Sequence, residues 1–205
     1  MNLDALNPPQ RAAVLHTDGP LLILAGAGSG KTRVLTHRFA HLVRAHGVRA
    51  DQICAVTFTN KAAGEMRERV QRLLDGESAP WLATFHSLCA RLLRRHAECL
   101  GLPRDFTIYD DGDQLALMRR VTTELNLSEE LFPPARLLHA IDRAKNEDLR
   151  PADLVQRAAD SHSERVAIAY RRYQELLRAN AAVDFGDLLL RTLDLMREHH
   201  DVLTS

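Results

Sequence analysis

Charge imbalance is the first thing missing from this sequence. Lys and Arg total 27 and Asp and Glu total 27. The sum therefore gives no basis for a polyanion-coating or membrane-coating protein. Cysteine is scarce, with three residues (Cys54, Cys89 and Cys99). Their number is odd and their spacing fits no zinc motif, which excludes a disulfide scaffold and points to a reducing, cytosolic location. Cys54 and Cys89 read as small buried hydrophobes. Aromatic residues are only 5% of the chain, and no apolar run approaches membrane-spanning length. The opening "MNLDALNPPQ" carries no apolar stretch of the kind a secretory signal needs.

What is present is concentrated locally. "LLILAGAGSGKT" (21–32) places an apolar run, Leu21 to Ala25, before three glycines, a lysine and a threonine. The run reads as a short buried strand. Gly26, Gly28 and Gly30 permit a tight loop whose N–H groups face an anion, and Lys31 opens a helix marked by Val34, Leu35, His37, Arg38 and Leu42. In such a P-loop the lysine reaches phosphate oxygens and the Thr32 hydroxyl sits on Mg²⁺. The loop is thus expected to span Ala25, Gly26, Ala27, Gly28, Ser29, Gly30, Lys31 and Thr32, with Ala25 where glycine is usual. A nucleoside triphosphate is the ligand this chemistry suits.

Two later strand ends carry a similar mixture. "QICAVTF" (52–58) reads as a strand, followed by a helix over 60–75; "WLATF" (81–85) reads as a third strand, followed by a helix with Leu88, Leu92 and Leu93. This β-α-β-α-β-α order predicts a parallel sheet. Phe58, Thr59 and Asn60 stand at one strand's carboxyl end and Thr84, His86 and Ser87 at the next. Ligands bind at that edge of a parallel sheet. Each set also suits helix capping or core packing, but the repetition at two successive ends favours a surface for bases and phosphates. From Thr84 to His96 there are three arginines and no acid, whereas Asp105 to Asp113 holds four aspartates and no base. Beyond about residue 110 the pattern becomes helical, with segments expected near 111–125, 134–144, 151–159, 163–180 and 185–200 and no strand evident.

In order, "LNPPQRAAV", "AGAGSGKT", "AVTFTNKAAGEMRERV", "TFHSLCARLLRR" and "DFGDLL" resemble the amino-terminal motifs of the UvrD/Rep/PcrA superfamily 1 DNA helicases. The resemblance covers essentially the whole chain. It implies an α/β fold: a RecA-like P-loop NTPase parallel sheet, incomplete here, with an all-α helical insertion of the 1B type. The implied organisation is residues 1–106 as the first part of the RecA-like ATP-binding domain, 107–182 as the insertion, and 183–205 as a return to the RecA-like domain. It implies ATP and Mg²⁺ as cofactors, single-stranded DNA and duplex junctions as partners, and 3′–5′ translocation. By position, Gln10 matches the glutamine that reads adenine; Phe58, Thr59, Asn60 and Lys61 match one single-strand contact motif, and Thr84 and His86 another. Asp184, Phe185 and Asp187 match a motif at the return to the ATPase domain, with Gly186 where an acid is common; an N-cap for the helix 185–200 is the alternative.

The family's acidic D-E-x-Q-D motif is expected beyond Ser205, as are its arginine fingers and second RecA-like domain. "NAAVD", ending at Asp184, does not fit that acidic strand. The sequence thus looks like an amino-terminal helicase portion that binds ATP and DNA and is by itself inactive. A non-catalytic nucleotide-binding, DNA-binding or partner-binding module is the alternative. A P-loop phosphotransferase would leave the TFTNKAA and TFHS stretches unexplained.

Overall fold

A computed structural model describes residues 3–26, 28–76, 79 and 81–204. The chain divides into two compact units, residues 1–88 and 89–205.

In the first unit, α1 (Pro8–Leu15) starts at a reciprocal cap: the Asn7 side chain accepts from Gln10 N–H at 3.0 Å, and the Gln10 side chain accepts from Asn7 N–H at 3.2 Å. Proline in its first turn has a preset φ and no N–H left unsatisfied. Helix α2 (Lys31–His46) runs between two left-handed glycines, Gly30 and Gly47. A 3₁₀ turn over Ala50–Gln52 leads to β1 (Ala55–Thr57), then α3 (Asn60–Leu73), β2 (Leu82–Thr84) and the start of α4 (Phe85–Arg95). Strands β1 and β2 are parallel, with Ala55 opposite Leu82, Val56 opposite Ala83 and Thr57 opposite Thr84. Phe39, Ala40, Ala63, Met66, Val70, Leu74 and Leu82 bury the facing sides of α2, α3 and β2.

Two sequence expectations change here. Residues 21–25 form no strand; Leu22 and Leu24 are 80% and 86% exposed. Only Ile23 turns inward, against Leu6, Val14 and Val34. The alternation is strand-like, but a strand also needs a neighbouring backbone, and among the described residues none forms a ladder with this segment. Cys54 is exposed, because β1 begins one residue later; Cys89 is buried as expected.

In the second unit, the rest of α4 and a 3₁₀ turn over Ala97–Leu100 lead to β3 (Thr107–Ile108). Five helical segments follow: α5 (Asp111–Glu124), α6 (Pro134–Asn146), α7 (Pro151–Arg157), α8 (Ser161–Ala179) and, after β4 (Ala182–Val183), α9 (Phe185–Glu198); α10 (His200–Thr204) comes last. The helices match the periodic segments expected. The strands were not foreseen, because two residues are too few to show alternation. Strands β3 and β4 pair in parallel, Thr107 with Ala182 and Ile108 with Val183. They bracket α5–α8, whose apolar stripes meet around Met118, Val121, Ile141, Tyr170, Tyr173 and Leu177. A separate cluster joins Leu93, Ala97, Phe106, Val183 and Leu188.

Candidate nucleotide and nucleic-acid site

The glycine loop delivers its chain into the N-terminus of α2. Gly28 and Gly30 have φ of +74° and +87°, a region L-residues with a Cβ disfavour. At Gly30 there is a second constraint: a Cβ would lie 2.8 Å from Gln10 Nε2. That amide donates to Ser29 C=O at 2.9 Å, so α1 is tied to the loop through Gln10. Ser29 Oγ donates to Gly26 C=O at 2.7 Å and tightens the turn. Lys31 Nζ donates to the carbonyls of Ala25 and Gly26, at 2.7 and 2.6 Å. The ammonium therefore lies against the loop, on a flexible stem that can exchange carbonyl oxygens for phosphate oxygens. Thr32 is half-buried in the first helical turn. Ala27 lies outside the described residues.

Next to this loop is a cleft that sequence reasoning missed. Arg33, Thr36 and His37 of α2 face Arg69, Arg72 and Leu73 of α3 across a space of about 400 Å³. The signal was available as basic residues at helical spacing, four apart on one helix and three apart on the other. Each pair alone reads as a solvated face, and only the packing of α2 on α3 brings them together.

The register of β1 and β2 brings the two polar strand ends side by side. Phe58 follows the Thr57–Thr84 pair on one strand and Phe85 follows it on the other; they are 97% and 54% exposed. Thr59 caps α3, accepting from Ala62 N–H at 3.2 Å. Thr84 accepts from Ser87 N–H at 3.3 Å; its hydroxyl is 2.8 Å from Ser87 Oγ and 3.5 Å from Asn60 Oδ1. Both capping readings are therefore correct, and Thr84 is largely consumed by structure. Phe58 is not: an aromatic ring almost wholly in solvent contributes nothing to the core. Thr59, Asn60, Lys61 and His86 are exposed beside it.

Asp184, Phe185 and Asp187 lie in the second unit. Asp184 caps α9, accepting from Asp187 N–H at 2.8 Å. Both carboxylates also hold Lys145, a lysine with no prior signal of importance in the sequence. Tyr173 donates to Asp184 at 3.1 Å and Gln174 to Asp187 at 3.0 Å. Burial and the Asp184 charge push the Tyr173 phenol far above its ordinary pKa, so it stays a hydrogen-bond donor. Among the described residues no buried polar side-chain atom lacks a partner.

Small parallel strand pairs set among helices, with a glycine loop opening a long helix, define a mixed α/β protein. The sequence model for the UvrD/REP helicase N-terminal domain matches residues 6–205, and the chain belongs to that family. It is 48% identical over 202 residues to the ATP-dependent DNA helicase PcrA of Leuconostoc citreum, covering 98% of this chain and 27% of that protein. Against the PcrA helicase of Staphylococcus aureus it is 47% identical, covering 98% of this chain and 28% of that protein. Against that of Staphylococcus epidermidis it is 46% identical over 200 residues, covering 97% and 27%. The chain thus spans about a quarter of the length of these relatives. No helix among the described residues is long and apolar enough to cross a membrane.

Proposed function

We propose that this chain is the ATP-binding and single-stranded-DNA-binding amino-terminal part of an ATP-dependent 3′–5′ DNA helicase. The observation that carries this reading is the in-register pairing of β1 and β2, which sets Phe58–Lys61 beside Thr84–His86 at one sheet edge. Stacking on Phe58 suits any base, and Asn60, Lys61 and the α3 N-terminus suit the backbone phosphates. The organisation we propose is a RecA-like ATP-binding portion over 1–106, a 1B-type helical insertion over 107–182, and a return to the first portion from 183.

Triphosphate binding falls to the loop Ala25–Thr32, with Lys31 turning from the loop carbonyls to the β- and γ-phosphates. The Thr32 hydroxyl, a hard oxygen in the first turn of α2, is the side chain that would hold Mg²⁺ beside the phosphates. Bound there, the ion would supply positive charge to offset the negative charge of the phosphates. Arg33, Arg69 and Arg72 supply further positive charge alongside. Gln10 offers adenine a donor and an acceptor in exchange for Ser29 and Asn7, so Gln10→Ala lowers the preference for ATP over GTP.

A second reading has its own support. The Asp184 carboxylate is fully engaged by Lys145, Tyr173 and the α9 cap. It is not free to hold a metal or polarise water, which favours a chain that binds nucleotide and DNA without hydrolysing ATP. One experiment addresses both: nucleotide affinity and ATPase rate, with and without single-stranded DNA, for the wild-type chain and Lys31→Ala. A charge-assisted contact of about 1.5–3 kcal/mol implies a roughly 10- to 100-fold loss of ATP affinity in the variant. Equal affinity in both proteins refutes the loop assignment. DNA-stimulated hydrolysis by the wild-type chain refutes the binding-only reading.

A further inference from the structure

Two imidazoles meet at the carboxyl end of α2. His41 Nε2 and His46 Nε2 are 3.3 Å apart, and the ring centroids are 5.0 Å apart at an interplanar angle of 78°. The rings therefore come closer at their Nε2 edges than at their centres. A tetrahedral ion with zinc–nitrogen bonds of about 2.0–2.1 Å requires its two nitrogens to stand about 3.3 Å apart. The observed spacing meets that requirement on distance. As it stands the pair is hydrogen-bonded, one ring donating to the other, and an ion would replace that shared proton. We propose that His41 and His46 chelate a divalent transition cation of the zinc class, with water completing its coordination.

The setting agrees with the geometry. His46 closes a 16-residue helix, and Gly47 in the left-handed conformation turns the chain away. Carbonyls at a helix C-terminus carry partial negative charge and favour a cation within the last turn. Nearby cations already have partners: Arg44 pairs with Asp75 at 2.5 Å, and Arg38 donates to the carbonyls of Ala13 and His16. An imidazole offers such an ion the lone pair of its unprotonated nitrogen. Among the described residues there is no group of three His, Cys, Asp or Glu side chains able to hold a metal. The site is therefore bidentate and open, and an ion held there clips the last turn of α2. This assignment is independent of the nucleotide and DNA reading.

The test is a zinc titration of the full chain against a chromophoric chelator, with His41→Ala, His46→Ala and, as a control, His199→Ala. One equivalent bound by the wild type and by His199→Ala, with affinity at least tenfold weaker in each of the other two, is the expected result. Zinc should also raise the thermal midpoint of the wild type and leave those of His41→Ala and His46→Ala unmoved. Unchanged affinity in either variant overturns the site. A second measurement needs no variant: imidazole nitrogen resonances of His41 and His46 should shift on zinc addition. Shifts confined to other histidines overturn it equally.

Discussion

Lys145 Nζ lies 2.6 Å from Asp184 Oδ2, and both side chains are 1% exposed. The same ammonium is 2.8 Å from Asp187 Oδ1 and 5.6 Å from the Tyr173 ring centroid. One cation thus joins α6 to α8 and to the first turn of α9. Removing one member of a buried ion pair leaves an uncompensated charge and costs about 3–5 kcal/mol. We expect Lys145→Met to lower the unfolding free energy by that order in urea denaturation. Lys145→Met/Asp184→Asn should cost less than the two single substitutions added together, because members of one network couple. Additive losses would mean that Lys145 and Asp184 do not act as a unit.

Gly186 sits at the same junction. A Cβ there would meet Lys145 Cδ at 2.7 Å and Lys145 Cβ at 3.4 Å. Alanine favours a helix over glycine by about 0.5–1 kcal/mol. Overpacking against an immobilised side chain costs about 1–3 kcal/mol, and here the lysine is pinned by two carboxylates. Gly186→Ala should therefore destabilise the chain despite its better helix propensity. In Lys145→Ala the 2.7 Å contact with Cδ is gone and only the milder 3.4 Å contact with Cβ stays, so Gly186→Ala should become neutral or stabilising. Denaturation midpoints of the four proteins decide this.

At the proposed DNA surface, Phe58→Ala should weaken single-strand binding by about 1–3 kcal/mol through lost stacking, with little change in salt dependence. Lys61→Ala should reduce the slope of log affinity against log salt by about one. Neither should alter the unfolding midpoint, since Phe58 is 97% exposed and Lys61 is also in solvent. Fluorescence anisotropy across a salt series separates the two. Unaltered affinity in both variants would remove the strand ends from the DNA interface.

A pH dependence follows from Asp160, which caps α8 by accepting from Ser163 N–H at 2.7 Å. That hydrogen bond, followed by the one from the Ser163 hydroxyl, holds its carboxyl below the usual range. A carboxyl with a depressed folded-state pKa stabilises the fold above its unfolded pKa and loses that contribution as pH falls through the folded value. Asp160→Ala should accordingly lower the urea midpoint at pH 7, and the gap from wild type should shrink under acid. A gap that stays constant down to pH 3 would show that the cap acts without its charge.

Helices were the most legible part of the sequence, because a stripe such as Val166, Ala169, Tyr170, Tyr173, Leu176 and Leu177 states its own period. Strands β1 and β2 were found almost in place. Residues 21–25 were misjudged because apolarity reports a demand for burial and not the identity of a backbone partner. The tight glycine loop and the polar strand ends were legible as backbone features, with Gly30 doubly determined by its φ and by Gln10. Lys145 was invisible: a lysine on an amphipathic helix looks like surface, and its partners lie about forty residues onward. Gly186 showed only as a departure from a pattern until the lysine beside it supplied the reason.

The parallel pairing of Thr107–Ile108 with Ala182–Val183 fixes where the chain leaves for the helices α5–α8 and where it comes back. Two rungs of ladder hold those ends in a set register, whatever lies between them. The closure entropy of such an excursion grows only slowly with its length. The helical segment can therefore lengthen, shorten or carry an inserted domain at an exposed turn, while the register at its base stays the same. The two short strands act as a clasp at the base of the helices, and Lys145 of α6 adds a second fastening by gripping Asp184 and Asp187 just beyond β4.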